Sequence, residues 1–301
     1  MTRVDPVMEV HADTCPLCGS DEQREVLVTT SGRLVRCRVC GLVRNPSYPS
    51  ISPCKRYSED YFAGRVYPDY LAGEQQWRHE ARLRVEFMRA LGFNAPVLEI
   101  GCAAGYFLDE LRRLGVPACG IDVSNYAASH ARGVLGLDVT VADVAVVELP
   151  TGTQGSVCLW HSLEHMVRPL ETLCKCYTWL ADGGRLFAEV PNFGSFARRR
   201  LGAAWQQLVL EEHAVQFEPP TFKALLESAG FRVLSMTTVP PRIYQRRARD
   251  DADLVAVRDS PMTVHPALAR PLQRTMGLAS RLAYKLDPQS ESLMRVVATK
   301  R

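Results

Sequence analysis

The chain has 301 residues, 47% hydrophobic and 23% charged, with a formal net charge of +3, a balance that suits a globular α/β domain with an added module. So small a charge, without a Lys/Arg stripe, argues against nucleic acid as partner, and no apolar run approaches the roughly 20 residues of a membrane span. The opening MTRVDPVMEVHAD has no secretory h-region, so the expected location is cytoplasmic and the ten cysteines point to metal ligation and buried thiols rather than disulfides.

The first motif pair is "CPLCG", with Cys15 and Cys18, and "CRVCG", with Cys37 and Cys40. Four thiolates at this spacing make a closed tetrahedral zinc site, which stabilises and does not catalyse. Between them "REVLVTTSGRLVRC" reads as two alternating strands around a Ser-Gly turn, so residues 1–46 are expected to form a zinc ribbon. Cys54 stands outside the pattern as a bystander. Residues 47–92 read as an irregular Tyr/Pro/Ser linker followed by a helix, "GEQQWRHEARLRVEFMRALG", ending at Gly92. Tyr61 and Tyr70 of the linker either fold over the mouth of the following domain or pack against the ribbon.

From residue 93 to 301, strands and helices alternate. "VLEIGCAAGYFLDELRRLG" is strand, glycine turn and amphipathic helix; "ACGIDVS" ends a second strand on Asp122; "DVTVADVAVVELP" carries Asp143; "GSVCLWHSLEH" is strand-to-helix; "RLFAEVPN" is a fifth strand. Such alternation implies a doubly wound parallel sheet with ligands at the carboxyl ends of its strands. The pattern G-x-G-x-x-G is absent, because the turn reads Gly101-Cys102-Ala103-Ala104-Gly105.

"LEIGCAAG" resembles the first motif of class I S-adenosylmethionine-dependent methyltransferases. Asp122, "ADVAVVELP" and "FEPPTFKALLESAGFRVLSM" (residues 217–236) match later parts of that family in order. The resemblance implies a Rossmann-like seven-stranded sheet that binds S-adenosylmethionine. By the same resemblance, Glu99 and Gly101 close the turn at the methionine moiety, Asp122 takes the ribose hydroxyls, and Asp143 with the backbone N–H of Val144 recognises adenine. Cys102, Gly105, Val123 and Trp160 complete the implied cofactor set. Two departures stand out: Ala103 replaces a common glycine, and Gly155-Ser156 stands where relatives often carry an acid. The ribbon and "LEH" after the fourth strand together resemble bacterial enzymes that methylate small molecules or saccharides.

"LWHSLEHMVRP" holds His161, Glu164 and His165, and "EEHAVQFEP" adds His213. On a helix, spacings of three and four place the first three side chains on one face. In ubiquinone-pathway O-methyltransferases and small-RNA 2′-O-methyltransferases a similar "ExxEH" binds a divalent metal, with His161 here replacing the first glutamate. Three roles stay open: a second metal site that lowers an acceptor hydroxyl's pKa, a general base at His161 or His213, or cofactor positioning and packing.

Acceptor-side insertions are expected at about 193–215 and 240–290. Phe193, Trp205 and Gln206 are candidate pocket residues in the first, with Trp205 alternatively core. The second carries a basic amphipathic pattern, which suits a packing helix, a homodimer face or a helix lying on a membrane surface. The leading functional reading is O-methylation of a natural product or saccharide. RNA or base methylation lacks an "NPPY"-type motif and a basic surface, sugar C-methylation lacks chain for a further domain, and a non-catalytic cofactor-binding protein is the remaining class.

Overall fold

In the computed structural model, which describes residues 14–29, 32–48, 51–240 and 289–300, the ribbon hairpin forms as its alternation predicts. Strands β1 (Gln23–Thr29) and β2 (Gly32–Cys37) pair antiparallel, and β2 pairs onward with β3 (Val43–Arg44). The Sγ atoms of Cys15 and Cys40 lie 3.4 Å apart and those of Cys18 and Cys37 3.5 Å. Tetrahedral zinc with bonds of about 2.3 Å wants sulfurs about 3.8 Å apart, so the four cysteines fit such an ion.

The linker forms a short α1 (Pro53–Arg56) and a π-type turn over Tyr61–Arg65 before α2 (Glu74–Leu91), which Gly92 ends at φ +76°. The apolar stripe of α2, with Ala81, Val85 and Met88, is buried on the main sheet.

That sheet is built from β4 (Val97–Ile100), β5 (Ala118–Asp122), β6 (Val139–Val141), β7 (Gln154–Trp160), β8 (Leu180–Pro191), β10 (Arg232–Val239) and β11 (Leu293–Thr299). Its order is β10-β11-β8-β7-β4-β5-β6. Pairing is parallel through β8-β7-β4-β5-β6, and β11 runs antiparallel to both of its neighbours. Helices α3 (Tyr106–Arg113), α4 (Asn125–Gly133), α5 (Pro169–Trp179) and α7 (Pro219–Ser228) cover it. Residues of β7 alternate between two layers: Val157 and Leu159 face the layer of α5 and α7, while Cys158 and Trp160 face α2 and Phe107.

The chain leaves β4 toward β5 and β6, then returns to β7 on the other side of β4. This reversal sets the ligand crevice at the carboxyl ends of β4 and β7. The glycine turn and the "HSLEH" stretch meet there, so close that a Cβ on Gly101 would lie 2.7 Å from Cβ of Ser162.

Several expectations are corrected. The "HSLEH" stretch does not open a long helix; Leu163–His165 is one 3₁₀ turn, and α5 starts only at Pro169. His161 ends the strand at φ +53°, so the three polar residues do not share a helical face. Phe193 is buried with Leu34 and Val43 of the ribbon, as is Trp205, which takes the core alternative read for it, while Gln206 is exposed. Gly155 is explained by crowding, since a Cβ there would sit 2.5 Å from the Ala95 carbonyl oxygen, leaving no room for an acid.

One connection was not expected at all. Strand β9 (Val215–Gln216) pairs with β3, Val43 opposite Gln216 and Arg44 opposite Val215, so the ribbon sheet runs β1-β2-β3-β9. Arg36 adds a forked ion pair to Glu218 at 2.7 and 2.8 Å. The basic pattern read between 240 and 290 falls outside the described residues from 241 to 288. Among the described residues no helix is long and apolar enough to cross a membrane.

Gly105 precedes α3 at φ +81°, and a Cβ there would lie 2.6 Å from Leu137 and 2.9 Å from Ala131. Gly105→Ala should therefore cost about 2–3 kcal/mol from backbone strain and overpacking, seen as a lower midpoint in urea melts; an unchanged midpoint would contradict the packing described.

Candidate active site

Three left-handed residues in five shape the turn after β4: Gly101 at +76°, Ala103 at +46° and Gly105 at +81°. Ala103, the departure from glycine, thus carries a conformation that costs an L-residue about 1 kcal/mol. The Ala103 N–H donates to Oδ2 of Asp122 at 2.7 Å, and the Ser124 N–H donates to Oδ1 at 2.7 Å. Asp122 is thereby fixed at the end of β5 with lone pairs to spare for a diol. Burial raises its pKa, opposed by those two N–H donors.

Glu99 is buried, which lifts it to about 8, and its Oε2 has no partner. Trp160 Nε1 and Ser162 Oγ are likewise buried and unpartnered. A cluster of orphaned polar atoms around a tight turn fits a bound polar group. Cys102 is buried with its sulfur against Gly120, where a Cβ would come within 2.6 Å. Beyond Asp122, a cavity of about 220 Å³ is lined by Val123, Val141, Ala142, Asp143 and the linker residues Ser52, Pro53 and Cys54. Cys54, read as a bystander, walls this cavity. Val144 is buried next to Asp143.

The linker aromatics settle over the turn. Tyr61 and Phe62 are buried on Ala127, with Tyr57, Tyr67, Tyr70, Ala103 and Tyr126 against them. Tyr57 also meets His165 edge-on, ring centroids 5.8 Å apart. The linker therefore covers both the glycine turn and the polar cluster beside it.

Within that cluster, Glu164, His165 and His213 bring one ligand atom each to within 4.8 Å of one another. His165 Nδ1 lies 2.7 Å from the Glu212 carbonyl, so it carries the proton and Nε2 keeps the lone pair. His213 is buried with Nδ1 unpartnered; desolvation first, and His165 next, push it down to about 3. It is neutral at ordinary pH. Glu164 is 1% exposed with Oε2 unpartnered. Burial opposes its charge, but the hydrogen bond from His161 and the neighbouring imidazoles hold its pKa below the usual value. One carboxylate and two imidazoles, with two orphaned buried atoms, are a donor set that fits a divalent transition metal.

His161 stands apart from this trio. Its Nδ1 faces Oε1 of Glu164 at 3.2 Å and its Nε2 faces Oε1 of Glu189 at 3.2 Å. Burial disfavours its charge, yet the two carboxylates raise it to about 9. It is thus an imidazolium at neutral pH, with both nitrogens engaged as donors. Both ring nitrogens face carboxylates, and His161 lies outside the group of Glu164, His165 and His213 whose ligand atoms converge. Glu189 is fully buried and also receives Arg84 at 3.1 Å and Arg295. Sequence reasoning missed Glu189, Arg84 and Arg295. The one available signal was an acid inside the apolar run "LFAEVP".

Comparison with known proteins identifies the family to which the fold belongs. A family model described as a methyltransferase domain matches residues 74–236. Among curated proteins, a ubiquinone biosynthesis O-methyltransferase of Nitrosococcus oceani is 30% identical over 118 residues, 36% of this chain and 50% of that protein. One of Xanthomonas euvesicatoria is 28% identical over 168 residues, 52% and 70% of the two chains. The chain thus spans half the length of the first of these relatives. Among solved structures, an S-adenosylmethionine-dependent methyltransferase of Archaeoglobus fulgidus aligns with TM-score 0.51 and 19% identity, over 80% and 97% of the chains. A phosphoethanolamine N-methyltransferase of Haemonchus contortus aligns with TM-score 0.57 and 13% identity, over 83% and 60%. The chain belongs to the methyltransferase domain family, with the class I S-adenosylmethionine-dependent fold.

His161 gives a pH signature. It is protonated up to about 9 in the fold, against 6.5 ordinarily. Its pairing therefore stabilises fully below the unfolded value and fades as pH rises toward 9, a change of about 3 kcal/mol. Thermal melts of wild type and His161→Gln between pH 6 and pH 9.5 should converge as pH rises; a gap that stays constant would contradict the imidazolium.

Proposed function

We propose that this methyltransferase transfers the methyl group of S-adenosylmethionine to a hydroxyl of a small molecule, a natural product or saccharide. The observation that carries the reading is the trio of buried Glu164, half-buried His165 and buried His213, with two unpartnered atoms, beside the glycine turn. The printed names of the curated relatives, O-methyltransferases, agree with a hydroxyl acceptor.

Glu99, Gly101, Cys102, Gly105, Asp122, Val123, Asp143 and Val144 would hold the cofactor, with Trp160 beneath the crevice. When bound, S-adenosylmethionine supplies an electrophilic methyl group on a sulfonium centre. The protein's task is then to orient the hydroxyl, take its proton and exclude water. The trio would hold a divalent metal, which lowers the pKa of a coordinated hydroxyl. Imidazole ligands favour zinc, iron, cobalt or manganese over magnesium. Because His213 is neutral, its Nδ1 lone pair is ready for an ion or a proton. Buried Tyr61 and Phe62, with half-buried Tyr70 against them, would keep water from the crevice. In the ribbon, Cys15, Cys18, Cys37 and Cys40 would bind structural zinc, away from the chemistry.

In an assay of methyl transfer to a panel of phenols and saccharides, chelation of the trio's metal should lower kcat/KM roughly 100-fold. Added Mn²⁺ should restore it, and Glu164→Gln should copy the loss with unchanged S-adenosylmethionine affinity by calorimetry. Full transfer in the chelated protein would overturn the metal reading, and absence of S-adenosylmethionine binding would overturn the enzyme reading.

A further inference from the structure

The two halves of the trio come from distant chain segments. Glu164 and His165 follow β7, whereas His213 precedes β9. What fixes the second half is visible in its backbone hydrogen bonds. Between Leu210 and Ala214, four carbonyls are occupied by donors from residues 45–56. Asn45 Nδ2 donates to Leu210 O at 2.8 Å, and Arg56 Nη1 donates to Glu211 O at 2.6 Å. Tyr48 Oη donates toward Glu212 O at 3.2 Å, and the Asn45 N–H donates to Ala214 O at 2.9 Å. Arg65 then pairs with the Glu212 carboxylate at 2.6 Å. The stretch that carries His213 is held from the N-terminal side of the chain.

Tyr48 does more than its neighbours. Its hydroxyl lies 3.3 Å from the His165 carbonyl and 3.2 Å from the Glu212 carbonyl. Its one hydroxyl proton is shared between a carbonyl of the first half and that of the residue next to His213. The same Glu212 carbonyl takes the Nδ1 proton of His165, the bond that leaves Nε2 free. Arg56 packs over the Tyr48 ring at 4.3 Å. Tyr48 itself sits four residues past β3, and the Cys37–Cys40 knuckle turns the chain from β2 into β3, with Cys37 N bonded to Leu42 O at 2.9 Å.

We propose that Tyr48 is a positioning residue for the trio, and that the cysteine ribbon sets the trio's geometry through β3, Asn45 and Tyr48. The ribbon is then a brace for the acceptor side of the site rather than a module for nucleic acid. A zinc held by the four cysteines and a metal held by the trio would then be coupled through the chain from Cys40 to Tyr48 without touching. The inference rests on the metal reading above for its affinity consequence alone; the bracing itself is a statement about backbone.

The test uses the full chain in three forms: wild type, Tyr48→Phe and Cys18→Ser. Mn²⁺ titration of Tyr48→Phe should give affinity about tenfold weaker than wild type, as for other residues that orient metal ligands. Its zinc content and its affinity for S-adenosylhomocysteine should be unchanged, which a general loss of folding would not allow. Amide exchange over residues 209–216 should accelerate in both variants, with residues 97–105 as slow as in wild type. Equal Mn²⁺ affinity in wild type and Tyr48→Phe overturns the proposal, as does unchanged exchange over 209–216. If wild type takes no Mn²⁺ at the trio, the metal reading fails by itself and the exchange measurement decides the bracing.

Discussion

The site depends on burying three carboxylates, Glu164, Glu189 and Glu212, near the carboxyl ends of β7 and β8. An ionised carboxylate removed from water is tolerated only when cations and hydrogen bonds replace its hydration. Glu189 meets this demand with Arg84 from α2, Arg295 from β11 and His161. Glu212 takes Arg65 from the linker. Glu164 has His161 on one oxygen and nothing on the other. The compensation is thus complete at Glu189 and incomplete at Glu164 and Glu212, whose Oε2 atoms are both buried without a hydrogen-bond partner; of these two, Glu164 brings a ligand atom together with His165 and His213. An unpaired buried oxygen of this kind needs a partner, and a divalent cation held by Glu164, His165 and His213 would supply the missing charge.

His161 links these demands. It shares its two protons between Glu164 and Glu189, and takes a left-handed backbone to reach both. Ala103, across the crevice, is the other described non-glycine residue at positive φ. Strain of this kind persists where surrounding structure over-determines it. Both strained residues border the crevice formed by the strand-order reversal. The cofactor turn and the polar cluster are therefore rigid for separate reasons, the first from its hydrogen bonds to β5 and Asp122, the second from buried charge.

The sequence showed much of this architecture because its signals were local. The C-x-x-C pairs, the glycine turn after an apolar strand and the acid closing "ACGID" each have a physical meaning within a few residues. What was not legible depends on partners far along the chain. Arg84 meets Glu189 across 105 residues, and β3 meets β9 through a pairing that neither two-residue strand announces. The same blindness made Phe193 look like a pocket residue, because Leu34 and Val43 of the ribbon, buried with it, come far earlier in the chain. His161 looked equivalent to its neighbours because spacing alone cannot reveal that it ends a strand at positive φ.

The central claim is that Glu164, His165 and His213 hold a cation and His161 does not. Crystals grown with Mn²⁺ and S-adenosylhomocysteine, measured at the manganese edge, test it directly. The account predicts an anomalous peak about 2.0–2.3 Å from the Glu164 carboxylate, His165 Nε2 and His213 Nδ1, with His161 still bridging Glu164 and Glu189. A peak ligated by His161, or no peak beside Glu164 at saturating Mn²⁺, would contradict it.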